Sequence, residues 1–178
     1  MLAGKYQNQP AFPYVLGAEL SGVISKDSPI PEGCDFVPGK TRVFGQAQGA
    51  YGEKVAVPYW TLKPLPDNLT FDQGAGLMVT LPTSYGALKV RAKIQPGEWL
   101  LVHAGAGGVG ICACQLGKLL GAKVIATAGS AEKLKICKEK GGADYAINYQ
   151  DKDWIDQVKS ECSRCASDHR ADGSISPF

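Results

Sequence analysis

Gly105, Gly107 and Gly110 stand in the spacing G-x-G-x-x-G within Leu100-Leu101-Val102-His103-Ala104-Gly105-Ala106-Gly107-Gly108-Val109-Gly110-Ile111. Placed between an apolar run and a helical pattern, such a cluster can hold a pyrophosphate. One glycine permits the tight turn, one lets backbone approach the phosphates, and one allows close packing of helix on strand. The N–H groups of Gly105, Ala106, Gly107, Gly108, Val109 and Gly110, with the positive end of the helix dipole, would face the anion. The competing reading is a strand-to-helix turn without a ligand, because a chain with 22 glycines forms glycine-rich turns by chance.

The type of dinucleotide is read about 20 residues further on, where NAD-binding versions place Asp or Glu against the ribose 2′-hydroxyl. Here the corresponding stretch is Thr127-Ala128-Gly129-Ser130, without a carboxylate. A carboxylate would repel a 2′-phosphate, whereas a hydroxyl from Ser130 and an ammonium from Lys133 can bind one. This fits NADPH. Equally, Ser130 could be only a helix N-cap and Lys133 a solvated helix residue.

These residues need elements to position them. Trp99–Val102 reads as a buried strand, and Cys112–Leu120 as a helix with Ala113, Leu116, Leu119 and Leu120 on one face. Lys123–Thr127 follows as a second strand, Ala131 to about Lys140 as a helix capped by Ser130, and Asp144–Asn148 as a third strand. A further helix is expected through Asp153 to Val158. The order β-α-β-α-β is one half of a doubly wound parallel sheet.

Upstream, residues 1–70 alternate short extended pieces with Pro and Gly, as in a compact β unit. Its strands are expected at Val15–Ile24, Thr41–Phe44 and Lys54–Pro58. Helices are expected over Phe71–Val79 and Thr83–Ala92, with a break or a helix start at Pro82. The division between the units is expected near residue 70, with the second running to about 159. Residues 160–178 are polar and aperiodic and are expected to form a disordered tail. Within it, Cys162-x2-Cys165-x3-His169 offers three metal ligands but no fourth, so no metal is expected there.

Gross composition narrows the function classes. With 19 basic and 17 acidic residues and no basic block, generic nucleic-acid or anionic-membrane binding is not expected. No apolar run approaches the roughly 18 residues of a membrane span, and the first residues lack a signal-like core. A cytoplasmic chain is expected. The six cysteines are scattered, which is reduced-thiol usage rather than a disulfide framework.

Taken in order, Leu16-Gly17-Ala18-Glu19-Leu20-Ser21-Gly22-Val23, Gln48-Gly49-Ala50-Tyr51-Gly52-Glu53-Lys54-Val55, Pro64-Leu65-Pro66-Asp67, Leu81-Pro82-Thr83-Ser84-Tyr85-Gly86-Ala87-Leu88, Ala104–Gly110 and Ala126–Ser130 resemble the medium-chain dehydrogenase/reductase superfamily. Within it they are most similar to the zeta-crystallin-like NADPH:quinone oxidoreductases, over residues 6–158. The resemblance implies a GroES-like β domain followed by a Rossmann sheet, an α/β fold. It implies NADPH as cofactor, hydride transfer to a quinone or enone, and a homo-oligomer. It places Ser130 and Lys133 at the 2′-phosphate, Thr83 and Tyr85 near the nicotinamide ribose, and Tyr149 near the adenosine.

The zinc enzymes of the superfamily carry Gly-His-Glu where this chain has Gly17-Ala18-Glu19, and alanine cannot ligate a metal. A zinc-independent reductase is therefore implied, with Glu19 buried beside a partner or placed at the domain cleft. No catalytic acid or base is identified, and His103 is expected to be a satisfied core histidine.

Relatives of this kind begin some tens of residues earlier and continue into strands four to six. The chain thus reads as truncated at both ends, leaving half of the Rossmann sheet with its first strand as an unpaired edge. The alternative function is a catalytically inactive nucleotide-binding or subunit-interaction module.

Overall fold

In the computed structural model, residues 11–166 and 175–177 are described. Two compact units divide between Val79 and Thr80.

The first unit is built on an antiparallel sheet of β1 (Glu19–Val23), β2 (Arg42–Gln46) and β3 (Leu62–Pro64), in that order. Ser21 stands opposite Phe44, which in turn stands opposite Lys63. Val43 and Leu62, with Leu65 beyond the last strand, are buried. Position 45 must be glycine, because a Cβ there would lie 2.6 Å from the backbone carbonyl oxygen of Thr61.

The strand expected at Lys54–Pro58 is not formed. Val55 and Val57 are half-buried in the alternating pattern that prompted it, but hydrogen bonding to a neighbouring strand is absent there among the described residues. Pro58 instead opens a 3-10 turn over Tyr59–Thr61, its carbonyl accepting from the Thr61 N–H at 3.0 Å.

The helix expected over Phe71–Val79 is also shorter: α1 spans Phe71–Gly74. A capping box starts it, with Gln73 N–H donating to Thr70 Oγ1 and Thr70 N–H to Gln73 Oε1. Gly74 and Gly76 then weaken the next turn. Gly74 lies against Leu65, where a Cβ would approach Cδ1 to 2.8 Å, and the Arg42 guanidinium stacks 4.8 Å over the Phe71 ring. These contacts hold residues 71–74 to the β unit and account for a division later than residue 70.

The second unit begins with α2 (Thr80–Tyr85), followed by a π-helical segment over Gly86–Ala92. Helix α2 starts three residues before Thr83, which places Pro82 in the first turn, where its missing N–H costs nothing.

A parallel sheet follows, made of β4 (Trp99–Val102), β5 (Lys123–Ala128), β6 (Tyr145–Asn148) and β7 (Ile175–Pro177), ordered β6-β5-β4-β7. On one face, α3 (Gly108–Leu119) and α4 (Ala131–Glu139) close over Leu100, Val102, Val124, Ala126 and Ala128 with Ala113, Cys114 and Cys137. On the other, α5 (Trp154–Ala166) brings Trp154, Val158 and Cys162 onto Ile125 and Ile147.

Two sequence expectations are corrected here, and a third falls outside what is described. Helix α5 continues past Val158 to Ala166, because buried Val158 and half-buried Trp154 and Cys162 repeat every fourth residue and form an apolar seam against the sheet despite the polar composition. The first strand is not an unpaired edge, since β7 runs parallel to β4 with Trp99 opposite Ile175. Part of the expected tail, including His169 of the three-ligand spacing, lies outside the described residues.

Leu119 does not share the buried face of α3. It is 81% exposed, and the buried residues are Gly110, Ala113, Cys114 and Gly117. A helix lying this close to a sheet admits only small residues along the contact line: a Cβ on Gly117 would come within 2.6 Å of Cδ2 of Leu100. Leu116 and Leu120 pack at its margin.

Candidate functional site

The glycine-rich segment joins β4 to α3, as its sequence requires, but its glycines serve differently from expectation. None of Gly105, Gly107, Gly108 or Gly110 has a positive φ; the left-handed residue of the turn is Ala104, at φ 52°. An alanine there costs about 1 kcal/mol relative to glycine. Gly105 is required by packing, since a Cβ would lie 2.8 Å from Cβ of Ala126 and 3.0 Å from Sγ of Cys137. Gly110 is required more strictly, because its Cβ would penetrate the carbonyl of Ala104 and lie 2.9 Å from Cα of Gly105.

Backbone bonds set the turn. Gly105 N–H donates to the Thr127 carbonyl at 2.9 Å, and Gly107 N–H to that of Ala104 at 2.9 Å. Gly107 is the N-cap of α3 and has no side chain to cap it, and the first turn carries no acidic residue. The amides of Gly108, Val109 and Gly110 have no carbonyl within the helix to bond, so this end is positive and open to an anion.

Helix α2 is fastened to that first turn by Ser84, which the sequence reading passed over. Its wholly buried hydroxyl lies 2.9 Å from the Val109 carbonyl and 3.0 Å from that of Thr80. The available signal was its spacing from Leu88, four residues on and also buried. Thr83 and Tyr85, which flank it, are exposed. Methyl Cγ2 of Thr80 lies where a Cβ on Gly108 would be 3.1 Å away.

At the end of β5, Ser130 is the N-cap of α4, its Oγ accepting from the Lys133 N–H at 3.4 Å. The capping role is thus present, through a long bond that leaves the hydroxyl free to make another. Lys133 is exposed. The ring of Tyr149, after β6, lies over Gly129, so that a Cβ there would be 2.7 Å from Cζ. The fold thereby brings Gly129 and Tyr149 into contact, next to Ser130 and one helical turn from Lys133.

His103 departs from expectation. It is exposed rather than in the core, although Nδ1 lies 3.0 Å from Oγ1 of buried Thr127 and the ring meets Trp154 edge-on at 5.7 Å.

Beneath the turn lie two free thiols, Cys114 and Cys137, both wholly buried. Burial, with a contribution from Cys137 nearby, pushes Cys114 from 9.0 up to about 12, and burial raises Cys137 as well. Both are neutral thiols and poor nucleophiles. Because an unfolded thiol ionises near its ordinary value, their stabilising contribution is complete below that value. It declines as pH rises toward the folded one. The urea midpoint of the reduced chain is expected to fall between about pH 8 and about pH 11, and less steeply for Cys114→Ala.

In the first unit, half-buried Glu19 has its Oε1 accepting from the Val79 N–H at 2.7 Å, and neighbouring Ala18 is exposed. A hollow of about 790 Å³ lined by Glu19–Val23, Ser28–Pro31 and Ala50–Val57 lies in this unit, and its lining includes none of the cofactor-binding residues read from the sequence. No group of three or more His, Cys, Asp or Glu residues able to hold a metal occurs among the described residues. None of the described helices is long and apolar enough to cross a membrane.

A glycine-lined turn after the first strand of a parallel sheet whose described strands run 3-2-1-4 is the arrangement of a doubly wound α/β nucleotide fold. Comparison with known proteins narrows this. Residues 108–175 match the family model described as zinc-binding dehydrogenase. Quinone oxidoreductase from Rattus norvegicus is 35% identical over 160 residues, 89% of this chain and 47% of the relative. A probable oxidoreductase from Mycobacterium abscessus superposes with a TM-score of 0.84 at 33% identity, covering 92% of this chain and 51% of that one. The crystal structure of Escherichia coli quinone oxidoreductase complexed with NADPH superposes with a TM-score of 0.77 at 34% identity, covering 88% and 48%. Over the residues it shares with them, the chain is similar to these dehydrogenases and quinone oxidoreductases. It spans about half the length of the curated relatives it matches.

Proposed function

We propose that the second unit of this chain binds NADPH, and that the protein to which this sequence corresponds is an NADPH-dependent reductase of quinones or enones that works without zinc. The observation that carries the reading is the end of β5. It has no carboxylate, and it passes into a helix whose first turn presents the Ser130 hydroxyl and the exposed Lys133 ammonium. Likeness to a quinone oxidoreductase crystallised with NADPH adds support.

In this reading the pyrophosphate lies against the turn Gly105-Ala106-Gly107-Gly108-Val109-Gly110 and is held by the N–H groups of Gly108, Val109 and Gly110, those of Gly105 and Gly107 being taken by the Thr127 and Ala104 carbonyls rather than facing the anion. Ser130 and Lys133 hold the 2′-phosphate, Tyr149 over Gly129 borders the adenosine, and Thr83 and Tyr85 flank the nicotinamide ribose. When bound, the cofactor supplies hydride, and the residues around it bind and orient rather than donate strong acid or base. Residues before Thr80 correspond to a GroES-like β domain and those after it to part of a Rossmann domain. Zinc independence rests on Ala18 at the position where zinc enzymes of the superfamily carry histidine.

Titration of the purified chain with NADPH and NADH, followed by nicotinamide fluorescence, tests the assignment. NADPH is expected to bind the more tightly, and Lys133→Ala to weaken it about tenfold while leaving NADH within about twofold. Equal affinity for the two, or binding of neither, would overturn the cofactor assignment.

A further inference from the structure

Thr127 is wholly buried at the end of β5 and bonds to residues on both sides of the strained Ala104. Its carbonyl accepts from the Gly105 N–H at 2.9 Å, and its Oγ1 lies 3.0 Å from Nδ1 of His103. The pair can bond in either tautomer: the hydroxyl donates to Nδ1 when the ring proton is on Nε2, and accepts when it is on Nδ1. The edge-on contact with Trp154 fixes the ring from another direction.

We propose that His103 and Thr127 are positioning residues that hold the phosphate-binding turn in its binding form and thereby set NADPH affinity. Left to itself, Ala104 favours a right-handed or extended backbone. Either would rotate the peptides at Ala104 and Gly105. The carbonyl of Ala104 would swing away from Gly107 N–H, and the amides entering α3 would lose their common direction. With His103 held by the hydroxyl and Gly105 by the carbonyl of one rigid strand residue, the intervening alanine has no room to relax. The inference rests on the NADPH reading above and adds two residues that need not touch the cofactor.

The test is a double-mutant cycle read as NADPH affinity of the full chain by nicotinamide fluorescence, with the thermal midpoint recorded for each variant. His103→Ala and Thr127→Val are each expected to weaken NADPH binding about five- to tenfold, and the double variant no further than either alone. Thr127→Ser, which keeps the hydroxyl, is expected to remain within about twofold of wild type. Rescue by serine separates positioning from loss of packing, and near-isosteric Thr127→Val carries the test if His103→Ala fails to fold.

Wild-type affinity in folded His103→Ala and Thr127→Val, or fully additive losses in the double variant, would overturn the inference while leaving NADPH binding intact. A wild-type chain that binds neither NADPH nor NADH would overturn the cofactor reading, and the inference with it.

Discussion

Gly110→Val is expected to abolish dinucleotide binding and to destabilise the second unit by about 3 kcal/mol or more. A Cβ at this position meets backbone, the carbonyl of Ala104 and Cα of Gly105, and not the end of a flexible side chain. Nothing nearby can yield by rotating. Relief would require α3 to move off β4 or the turn to open. The first breaks the packing of Ala113 and Gly117 on the sheet, and the second breaks the Gly107 N–H bond to Ala104. Either change also scatters the amides that would face phosphate. Urea unfolding and NADPH titration measure the two effects. Gly86→Ala is the comparison, because a Cβ there meets nothing within 4 Å, and it should shift the midpoint little. A Gly110→Val chain with the wild-type midpoint would refute the packing argument.

Asp144→Ala is expected to cost about 2–3 kcal/mol in urea unfolding. Its Oδ2 accepts from the Val124 N–H at 2.7 Å, and its own N–H donates to the Val124 carbonyl at 2.9 Å. The two residues thus tie β5 to the start of β6 by a reciprocal pair of bonds. Val124 is wholly buried, so truncating the carboxylate strips its amide of the acceptor that the fold supplies. Lys118 Nζ reaches the same carboxylate at 2.6 and 2.8 Å, binding the last turn of α3 to the sheet. This ion pair is about a third exposed on both sides, and Lys118→Met should cost under about 1 kcal/mol. The ordering of the two variants is the decisive result: if Lys118→Met were the costlier, the ion pair and not the amide acceptor would be the main restraint.

Fastening of α4 and β6 bears on the site because Ser130, Lys133 and Tyr149 are carried on these elements and their ends. A variant that loosens β6 from β5 moves Tyr149 relative to Gly129 without altering any residue near a ligand. Asp144→Ala is therefore expected to weaken NADPH binding as well as stability, and Lys118→Met to weaken it less.

Much of the second unit was legible in the residues. Lys123–Thr127 and Asp144–Asn148 are short apolar runs between turns, and Ser130 followed by Glu132 marks a helix start. Each corresponds to an element within a residue or two: β5 at Lys123–Ala128, β6 at Tyr145–Asn148 and α4 at Ala131–Glu139. The strand-turn-helix at Gly105–Gly110 was equally legible, since its glycine spacing has few other uses between a strand and a helix. These are local properties, recorded in propensity, period and capping.

Other features depended on partners distant in the chain. Lys54–Pro58 alternates like a strand but lacks hydrogen bonding to a neighbouring strand among the described residues, and alternation cannot report that. Leu119 is apolar on a helix whose contact line, pressed against Leu100 and Val124, accepts glycine and alanine instead. Glycine spacing could not say that Ala104 would take the left-handed position, because that depends on Thr127 holding the residues on both sides. By itself, then, the sequence determined the α/β class, the phosphate-type turn and the carboxylate-free end of the second strand, since these are written in residue types at short range. Tertiary structure alone decided how the turn is held, which face of α3 is buried, and that β7 lies beside β4. Those outcomes follow from which distant backbones meet, and at what distance.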